Sequence, residues 1–432
     1  MNQLESLWMP FTANRYFKSH PKLLVKADGM YYTTNDNRLI LDGTAGLWCV
    51  NAGHNQPKIT EAIQQQAATM DYAPGFQMGH PQAFELAQQL AQIAPEPLNH
   101  VFFTNSGSES VDTALKIAMA YQHARGKPER QHFVGRERGY HGVGFGGISV
   151  GGIATNQKGF QLLSNVSHLP STHDIAHNAF SKGQPTWGAH LADALLDIIA
   201  NTPHIAAVIV EPVAGSTGLL VPPQGYLQRL RTLCDEHDIL LIFDEVITGF
   251  GRVDGPFSAP FFHVIPDIIT TAKGLTNGAV PMGAAIVRDD IYHTIVDSAP
   301  QNGIELFHGY TYSGHPLACA AALASLTVFE EQGLYHRAQQ LSEFWQHSVH
   351  SLRGLPHIVD IRNIGLAAAI ELEPIEGAPG QRARDVFNSA FDKGALVRYS
   401  GETIVLSPPL IIEQAQITQL VSILADSLSN KD

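Results

Sequence analysis

Residues 239–252 read Ile-Leu-Leu-Ile-Phe-Asp-Glu-Val-Ile-Thr-Gly-Phe-Gly-Arg. The first five residues form a continuous apolar run, which is typical of a strand buried on both faces of a parallel sheet. Asp244 follows at once, so it lies at the carboxyl end of the predicted strand. Ligands of open α/β sheets bind at that edge. Asp244 is therefore a candidate site residue, although a carboxylate that caps the following turn would show the same pattern.

Further short apolar runs lie on both sides of this stretch and alternate with helical patterns. Alternation of buried strands with helices predicts a large, mostly parallel α/β sheet. The additional predicted strands are residues 100–104, 205–210, 267–271 and 284–287.

The two ends of the chain show different patterns from the centre. Turn signals divide residues 23–42 into a hairpin-like antiparallel segment, and residues 358–429 read as a compact α+β lobe. We predict an N-terminal segment of a small domain (1–55), a large α/β domain (56–315), and a linking helix with the C-terminal part of the small domain (316–432).

The composition restricts the class of protein. Hydrophobic residues make up 44% of the 432 residues and charged residues 16%, which excludes a disordered polymer. The formal net charge of −13 disfavours general attraction to nucleic acid or to an anionic membrane. Any anion that the protein binds needs a local site.

Cysteine usage and the N-terminal sequence predict the compartment. Cys49, Cys234 and Cys319 show neither paired nor metal-ligand spacing, which indicates small buried side chains in a reducing environment. Residues 1–8 include an acid and lack the apolar run of a signal peptide, and no apolar run reaches transmembrane length. The sequence predicts a cytoplasmic protein.

Lys273, like Asp244, follows a short apolar run that predicts a buried strand. Residues 266–274 read Pro-Asp-Ile-Ile-Thr-Thr-Ala-Lys-Gly, so Lys273 leaves an apolar strand. A desolvated lysine loses its proton readily and becomes an amine nucleophile. A lysine that extends from the sheet edge into solvent would fit the pattern equally well.

A candidate phosphate site follows the strand at 100–104. Ser106, Gly107 and Ser108 precede a predicted helix over 109–123, and the free amides of a helix start bind phosphate. An ordinary N-cap by either serine is the alternative. A phosphate seat, a carboxylate and a nucleophilic lysine together match the needs of pyridoxal 5′-phosphate.

Two glycine-rich motifs point to other chemistry. Residues 142–147 fit the dinucleotide pattern and residues 147–151 fit the G-x-S-x-G elbow of serine hydrolases around Ser149. Neither has the required flanking strand and helix, so a flexible glycine loop is the favoured interpretation. A serine hydrolase at Ser149 remains a remote alternative.

Three histidines have a spacing that could place two imidazoles on one helix face. His168, His173 and His177 lie in a polar segment of a chain with 21 histidines. A solvated surface is favoured over a metal site, and no metal is predicted.

The chain resembles class III pyridoxal-phosphate aminotransferases, and within them the ω-amino acid:pyruvate (β-alanine:pyruvate) branch. The resemblance runs almost end to end. It implies fold-type I, with a large mostly parallel sheet domain and a small α+β domain from both termini. The motifs that carry it include residues 8–15 (Trp-Met-Pro-Phe-Thr-Ala-Asn-Arg), 45–49 (Ala-Gly-Leu-Trp-Cys), 104–109 (Thr-Asn-Ser-Gly-Ser-Glu), 139–142 (Gly-Tyr-His-Gly), 240–252, 272–274 and 308–316.

The resemblance implies roles for residues around the cofactor. Lys273 would bind it covalently, and Asp244 would bond the pyridine nitrogen and keep it protonated. Tyr140 and Val246 would cover the two ring faces. The phosphate would be bound by Ser106, Gly107 and Ser108, and by Thr311 from the partner subunit of a homodimer.

Three further residues are assigned by the same resemblance. Trp48 would line the substrate pocket, although a core tryptophan is the alternative. Arg398 would bind the substrate carboxylate, which suits its planar guanidinium. Glu211 would lie near the cofactor in an unassigned role. Ser400 and Val405 depart from the branch pattern and bear on the choice of substrate.

The implied activity moves an amino group from a β-alanine-like ω-amino acid or an amine to pyruvate, giving a carbonyl product and L-alanine. The implied assembly is a homodimer or a dimer of dimers. Alternatives that keep the cofactor are transaminases of 4-aminobutyrate, taurine or polyamines, and an aminomutase. A non-catalytic binding scaffold is disfavoured because the lysine, aspartate and phosphate-loop set is intact.

Overall fold

The computed structural model describes residues 4–429. The first three and last three residues, which belong to the predicted terminal segments, lie outside the described part. Within it the strands are β1 (Leu24–Asp28), β2 (Tyr31–Thr34), β3 (Leu39–Asp42), β4 (Leu98–Thr104), β5 (His132–Arg136), β6 (Val166–Leu169), β7 (Ile205–Val210), β8 (Leu240–Asp244), β9 (Ile268–Thr271), β10 (Gly283–Arg288), β11 (Ile358–Ile364), β12 (Ala367–Leu372), β13 (Ala395–Leu396), β14 (Arg398–Ser400) and β15 (Thr403–Leu406).

Helices separate most of these strands. They are α1 (Asn14–Ser19), α2 (Ala45–Trp48), α3 (Pro57–Thr69), α4 (Pro81–Ile93), α5 (Gly107–Ala124), α6 (Phe145–Val150), α7 (Ala154–Gln157), α8 (Ile175–Asn178), α9 (Ala194–Asn201), α10 (Tyr226–Glu236), α11 (Asp289–Asp297), α12 (Pro316–Glu331), α13 (Leu334–His350), α14 (Gln381–Asp392) and α15 (Gln414–Ser429), with 3₁₀ turns at Ala189–Asp193 and Lys273–Thr276.

A seven-stranded sheet forms the centre of the molecule, in the order β4-β10-β9-β8-β7-β5-β6. Strands β9, β8, β7, β5 and β6 run parallel, whereas β10 is antiparallel to both of its neighbours. Every residue of β7 and β8 is buried, as their apolar sequences predict. The large, mostly parallel sheet is confirmed.

Two four-stranded sheets lie outside the central one, in the orders β1-β2-β3-β13 and β11-β12-β15-β14. Strand β3 pairs in parallel with β13, matching Leu41 with Ala395 and Asp42 with Leu396. The N-terminal strands therefore share a sheet with a strand from the C-terminal part of the chain. The domain limits at 55/56 and 315/316 stay a prediction.

The glycine-rich segment is partly helical, so the prediction of a flexible loop over 142–147 is wrong at its end. Helix α6 begins at Phe145 because the Asp112 carboxylate accepts the Gly147 amide at 2.7 Å. A Cβ at Gly144 would collide with that carboxylate. The helix is only six residues long and β5 ends at Arg136, so the flanks of a dinucleotide fingerprint are not formed.

The three histidines of the 168–177 segment bond to different partners. His177 is exposed and bonds Asp174 through Nδ1, whereas His168 Nε2 bonds the Gly151 carbonyl. His173 Nε2 lies 3.1 Å from a Glu371 oxygen and its side chain is mostly buried. The interpretation as solvated surface therefore holds at His177 and is wrong at His173.

None of the helices in residues 4–429 combines the length and the apolar character needed to cross a membrane.

Candidate active site

The candidate site is a pocket with about 500 Å³ of empty volume at the carboxyl edge of the central sheet. Strands β7, β8 and β9 each end there, as expected for a ligand site of an open α/β sheet. The residues that line it are Gly107, Ser108, Tyr140, His141, Gly142, Glu211, Asp244, Val246, Ile247 and Lys273.

Lys273 stands two residues beyond β9 and extends its side chain into this pocket. Its φ of +44° lies in the left-handed region, where non-glycine residues store strain and often mark functional sites. Burial lowers the pKa of its amine, while the nearby Cys49 and Asp244 side chains act in the opposite direction. The site therefore shifts the amine toward its neutral, nucleophilic form relative to a lysine in water.

Asp244 is buried and held by two hydrogen bonds. One carboxylate oxygen accepts the Val246 amide at 3.1 Å, and the other lies 2.9 Å from His141 Nδ1. His141 is fully buried, and its Nε2 has no hydrogen-bond partner within the described residues. His141 is a site residue that no sequence pattern predicted, although it stands in the Gly-Tyr-His-Gly motif beside Tyr140.

Glu211, whose role the sequence left open, bonds to the backbone that shapes the pocket. Its two oxygens accept the amides of Tyr140 at 2.8 Å and Gly215 at 3.2 Å. Burial raises the pKa of this carboxyl to about 7, and the charge of Asp244 acts in the same direction. Glu211 thus fixes the backbone at Tyr140, and Tyr140 lines the pocket.

The start of α5 forms one end of the pocket. Gly107 and Ser108 line it together with Gly142, and a Cβ at Gly142 would collide with Ser108. Because the first amides of a helix have no intrahelical partner, they can bind an anion. Ser106 is the N-cap, whose hydroxyl accepts the Glu109 amide at 3.2 Å, and it is not among the lining residues.

Arg398 begins β14 and pairs across the sheet with the buried Val405. Burial lowers the pKa of its guanidinium, and its charge interacts with Tyr140 and Lys273. Its Nε is buried without a hydrogen-bond partner in the described part of the chain. Arg398 therefore places a cation close to the pocket.

Trp48 and Thr311 are not among the residues that line the pocket of the single chain. Trp48 is 2% exposed, belongs to the hydrophobic core, and has the Arg252 guanidinium 5.8 Å from its ring centroid. Thr311 is exposed, and its carbonyl accepts the Tyr72 hydroxyl at 3.0 Å. The roles given to both by resemblance stay predictions.

The hydrolase alternative fails on geometry. The Ser149 hydroxyl is buried within α6, donates to the Phe145 carbonyl at 2.6 Å and accepts the Leu163 amide at 2.9 Å. A nucleophilic serine needs an exposed hydroxyl beside a base. Ser149 is instead part of the support of the glycine-rich segment.

The residues of the pocket fit pyridoxal 5′-phosphate. An amine with a lowered pKa at Lys273, a buried carboxylate at Asp244 and a glycine-lined helix start at Gly107 match its aldehyde, ring nitrogen and phosphate.

Comparison with known proteins agrees with this chemistry. The family model of aminotransferase class III matches residues 12–428. An omega-aminotransferase of Caulobacter vibrioides is 60% identical, covering 100% of this chain and 99% of that protein. A beta-alanine--pyruvate aminotransferase of Pseudomonas aeruginosa is 45% identical, covering 99% and 96%.

A solved structure shares the fold. The omega transaminase from Pseudomonas jessenii in complex with PMP superposes with a TM-score of 0.92 at 32% identity, covering 99% of this chain and 96% of that one. The predicted fold class is thereby confirmed as fold-type I. The chain belongs to the class III aminotransferases, which are pyridoxal-phosphate-dependent enzymes.

Proposed function

We propose that this enzyme transfers an amino group from a β-alanine-like ω-amino acid, or from an amine, to pyruvate, giving a carbonyl product and L-alanine. The observation that carries the proposal is a nucleophilic Lys273 and a buried Asp244 in one pocket, with the Arg398 cation close by. The names of the 60% and 45% identical relatives agree with this substrate pair.

Lys273 and Asp244 carry the chemistry in this proposal. Pyridoxal 5′-phosphate, when bound, supplies an aldehyde and an electron-withdrawing ring. Lys273 Nζ would hold the cofactor covalently and, once free, would accept the proton of the amine-bearing donor carbon. The Asp244 carboxylate would accept a hydrogen bond from the protonated ring nitrogen and balance its charge. His141 donates to Asp244 through Nδ1 and fixes the direction in which the carboxylate points.

The remaining site residues bind and orient the cofactor and the substrate. We assign the phosphate to Gly107 and Ser108 at the start of α5, with Ser106 as the cap of that helix and Thr311 of a second subunit as a further contact. Tyr140 and Val246, which both line the pocket, would cover the two ring faces. Glu211 positions Tyr140, Arg398 binds the substrate carboxylate, and Trp48 supports the substrate pocket.

A donor panel tests the substrate assignment. Purified holoenzyme with excess pyruvate is expected to form alanine from β-alanine and from a carboxylate-free monoamine, measured by chromatography. Product inhibition and initial rates should follow ping-pong kinetics, because donor and acceptor react in turn. Alanine from 4-aminobutyrate, taurine or a polyamine but not from β-alanine would reassign the donor. Rearranged amino acid without alanine would indicate an aminomutase.

Arg398→Ala is expected to weaken the use of carboxylate substrates selectively. The pocket must accept β-alanine, then pyruvate, and also amines without a carboxylate, and a long arginine can reach in or retract. Truncating a charged hydrogen-bonded partner costs about 2–4 kcal/mol, so the KM values for β-alanine and pyruvate should rise roughly 30- to 700-fold.

The control for Arg398→Ala is the same variant with a carboxylate-free amine, whose half-reaction in stopped flow should change little. Equal losses with both donor types would show that Arg398 is structural and that the carboxylate is bound elsewhere.

We infer a homodimer, in which a second copy covers an exposed apolar surface around Thr311. Large side chains stand out of this surface, with Phe307 88%, Phe84 72% and Met78 71% exposed. The two segments that carry them contact each other, since the Tyr72 and Tyr312 rings lie 6.0 Å apart. Apolar patches of this kind mark subunit interfaces.

Phe307→Asp is expected to shift the protein from dimer toward monomer, because a buried charge at an apolar interface is costly. Analytical ultracentrifugation across a concentration series measures the shift. Val25→Asp on β1, where Val25 is 64% exposed, is the matched control and should leave the mass unchanged. A parent protein that is monomeric at all concentrations would contradict the dimer.

We place the enzyme in the cytoplasm on the basis of its thiols. Cys234 and Cys319 are free and buried, and Cys49 is free beside the pocket. Free thiols without disulfides are typical of reducing compartments.

A further inference from the structure

We propose that His100, Asp289 and His293 form a binding site for a divalent transition metal, with Zn²⁺ as the reference ion. Their donor atoms all lie within 4.8 Å of one another. His100 is on β4, and Asp289 and His293 are on α11, which follows β10 directly.

One oxygen of Asp289 lies close to both imidazoles. His100 Nε2 lies 3.0 Å and His293 Nε2 3.4 Å from the same oxygen of Asp289, Oδ1. A zinc ion takes nitrogen and oxygen ligands at about 2.0–2.2 Å, so tetrahedral ligands stand roughly 3.3–3.5 Å from one another. Two imidazoles and a carboxylate at these separations need only small side-chain adjustments to bind one ion.

Neighbouring side chains hold the ligands in place. The Tyr292 ring stacks on His100 with centroids 3.8 Å apart and an interplanar angle of 9°. Asp289 and His293 are one helical turn apart on α11, so they lie on the same face of the helix. The His100 ring therefore has a fixed orientation toward the helix.

The Asp289 carboxylate bonds Asn99 and the two histidines, and within residues 4–429 no arginine or lysine forms a salt bridge with it. The adjacent Arg288 guanidinium instead bonds Asp290 and Asp267. Asp289 thus faces two imidazoles, and this arrangement binds a metal better than an aspartate engaged by an arginine would.

The site is remote from the active pocket. Strand β10 runs from Gly283 to Arg288, and His100 pairs with Val287 near its far end. The first residues of β10 pair with the end of β9, which Lys273 follows. The histidine therefore lies at the other end of these strands from the active pocket. Three protein ligands leave a fourth position for water, and the imidazole and carboxylate set suits Zn²⁺, Cu²⁺, Ni²⁺ and Co²⁺ rather than Mg²⁺ or Ca²⁺.

Metal titration of the tag-free holoenzyme tests this proposal. After treatment with EDTA and buffer exchange, Zn²⁺ is titrated by calorimetry and by competition with a chromophoric chelator. We expect about one equivalent per chain in the parent, and binding weakened by roughly tenfold or more in His293→Ala and in Asp289→Asn. His336→Ala removes an exposed histidine of α13 and should bind zinc as the parent does. Transaminase rates should be equal in all four proteins.

Cobalt gives a second measurement that does not depend on affinity alone. Co²⁺ in the parent should show visible d–d absorption that His293→Ala lacks. Equal zinc affinity in the parent, His293→Ala and Asp289→Asn would overturn the proposal, as would a parent without stoichiometric binding. The thermal midpoints of the variants in EDTA should agree with that of the parent. Such agreement shows that a variant binds zinc weakly because it lacks a ligand and not because it is misfolded.

Discussion

Lys273→Ala is expected to abolish amino-group transfer while the chain stays folded. Alanine lacks the amine that binds the cofactor and moves the proton of the donor carbon, and within the lining of the pocket Lys273 is the one lysine. Removing a buried amine also removes the cost of its desolvation, so the thermal midpoint should not fall. Coupled assays of alanine formation and the absorbance of the bound cofactor measure both parts of the result.

Lys26→Ala is the matched control, because Lys26 is an exposed lysine on β1. It should keep the parent rate and the parent absorbance spectrum. Retention of about one percent of the parent rate by purified Lys273→Ala would remove the lysine from the role of nucleophile and proton carrier.

Asp244→Asn should slow proton removal from the donor carbon by about 10³-fold or more, with the cofactor still bound. The amide has nearly the shape of the carboxylate and can still accept the Val246 amide, while its NH₂ group can donate to His141 Nδ1 when that histidine carries its proton on Nε2. It cannot balance the charge of a protonated ring nitrogen. Single-turnover stopped flow isolates this step from binding.

The control for this substitution is Asp297→Asn, at an exposed position at the end of α11. Its single-turnover rate should equal that of the parent. A near-normal rate in Asp244→Asn would mean that another group keeps the ring nitrogen protonated.

Sequence patterns predicted the positions of those site residues that follow directly after buried strands. The apolar run before Asp244 and the run before Lys273 end at the same sheet edge, and β7 and β8 occupy the predicted residues to within one position. Periodicity and burial determine such elements locally. The same local logic placed the helix start after Ser106.

Contacts between distant parts of the chain were the main source of error and omission. Helix α6 begins at Phe145 because Asp112, 33 residues earlier, caps it, and no local pattern contains that carboxylate. His141 was missed because its importance comes from Asp244, which is 103 residues away. His173 is mostly buried where it contacts Glu371 on β12, a residue far away in the sequence.

The pairing of β3 with β13 has a consequence for synthesis of the chain. Leu41 and Gly43 donate their amides to the carbonyls of Gly394 and Leu396, so the first sheet lacks one edge strand until residue 396 has left the ribosome. Domains generally fold as units during translation, and an unpaired strand edge invites association with other chains. A nascent chain released before residue 396 would therefore display β3 as an open edge, and premature termination upstream of that residue should yield aggregates rather than a shortened enzyme.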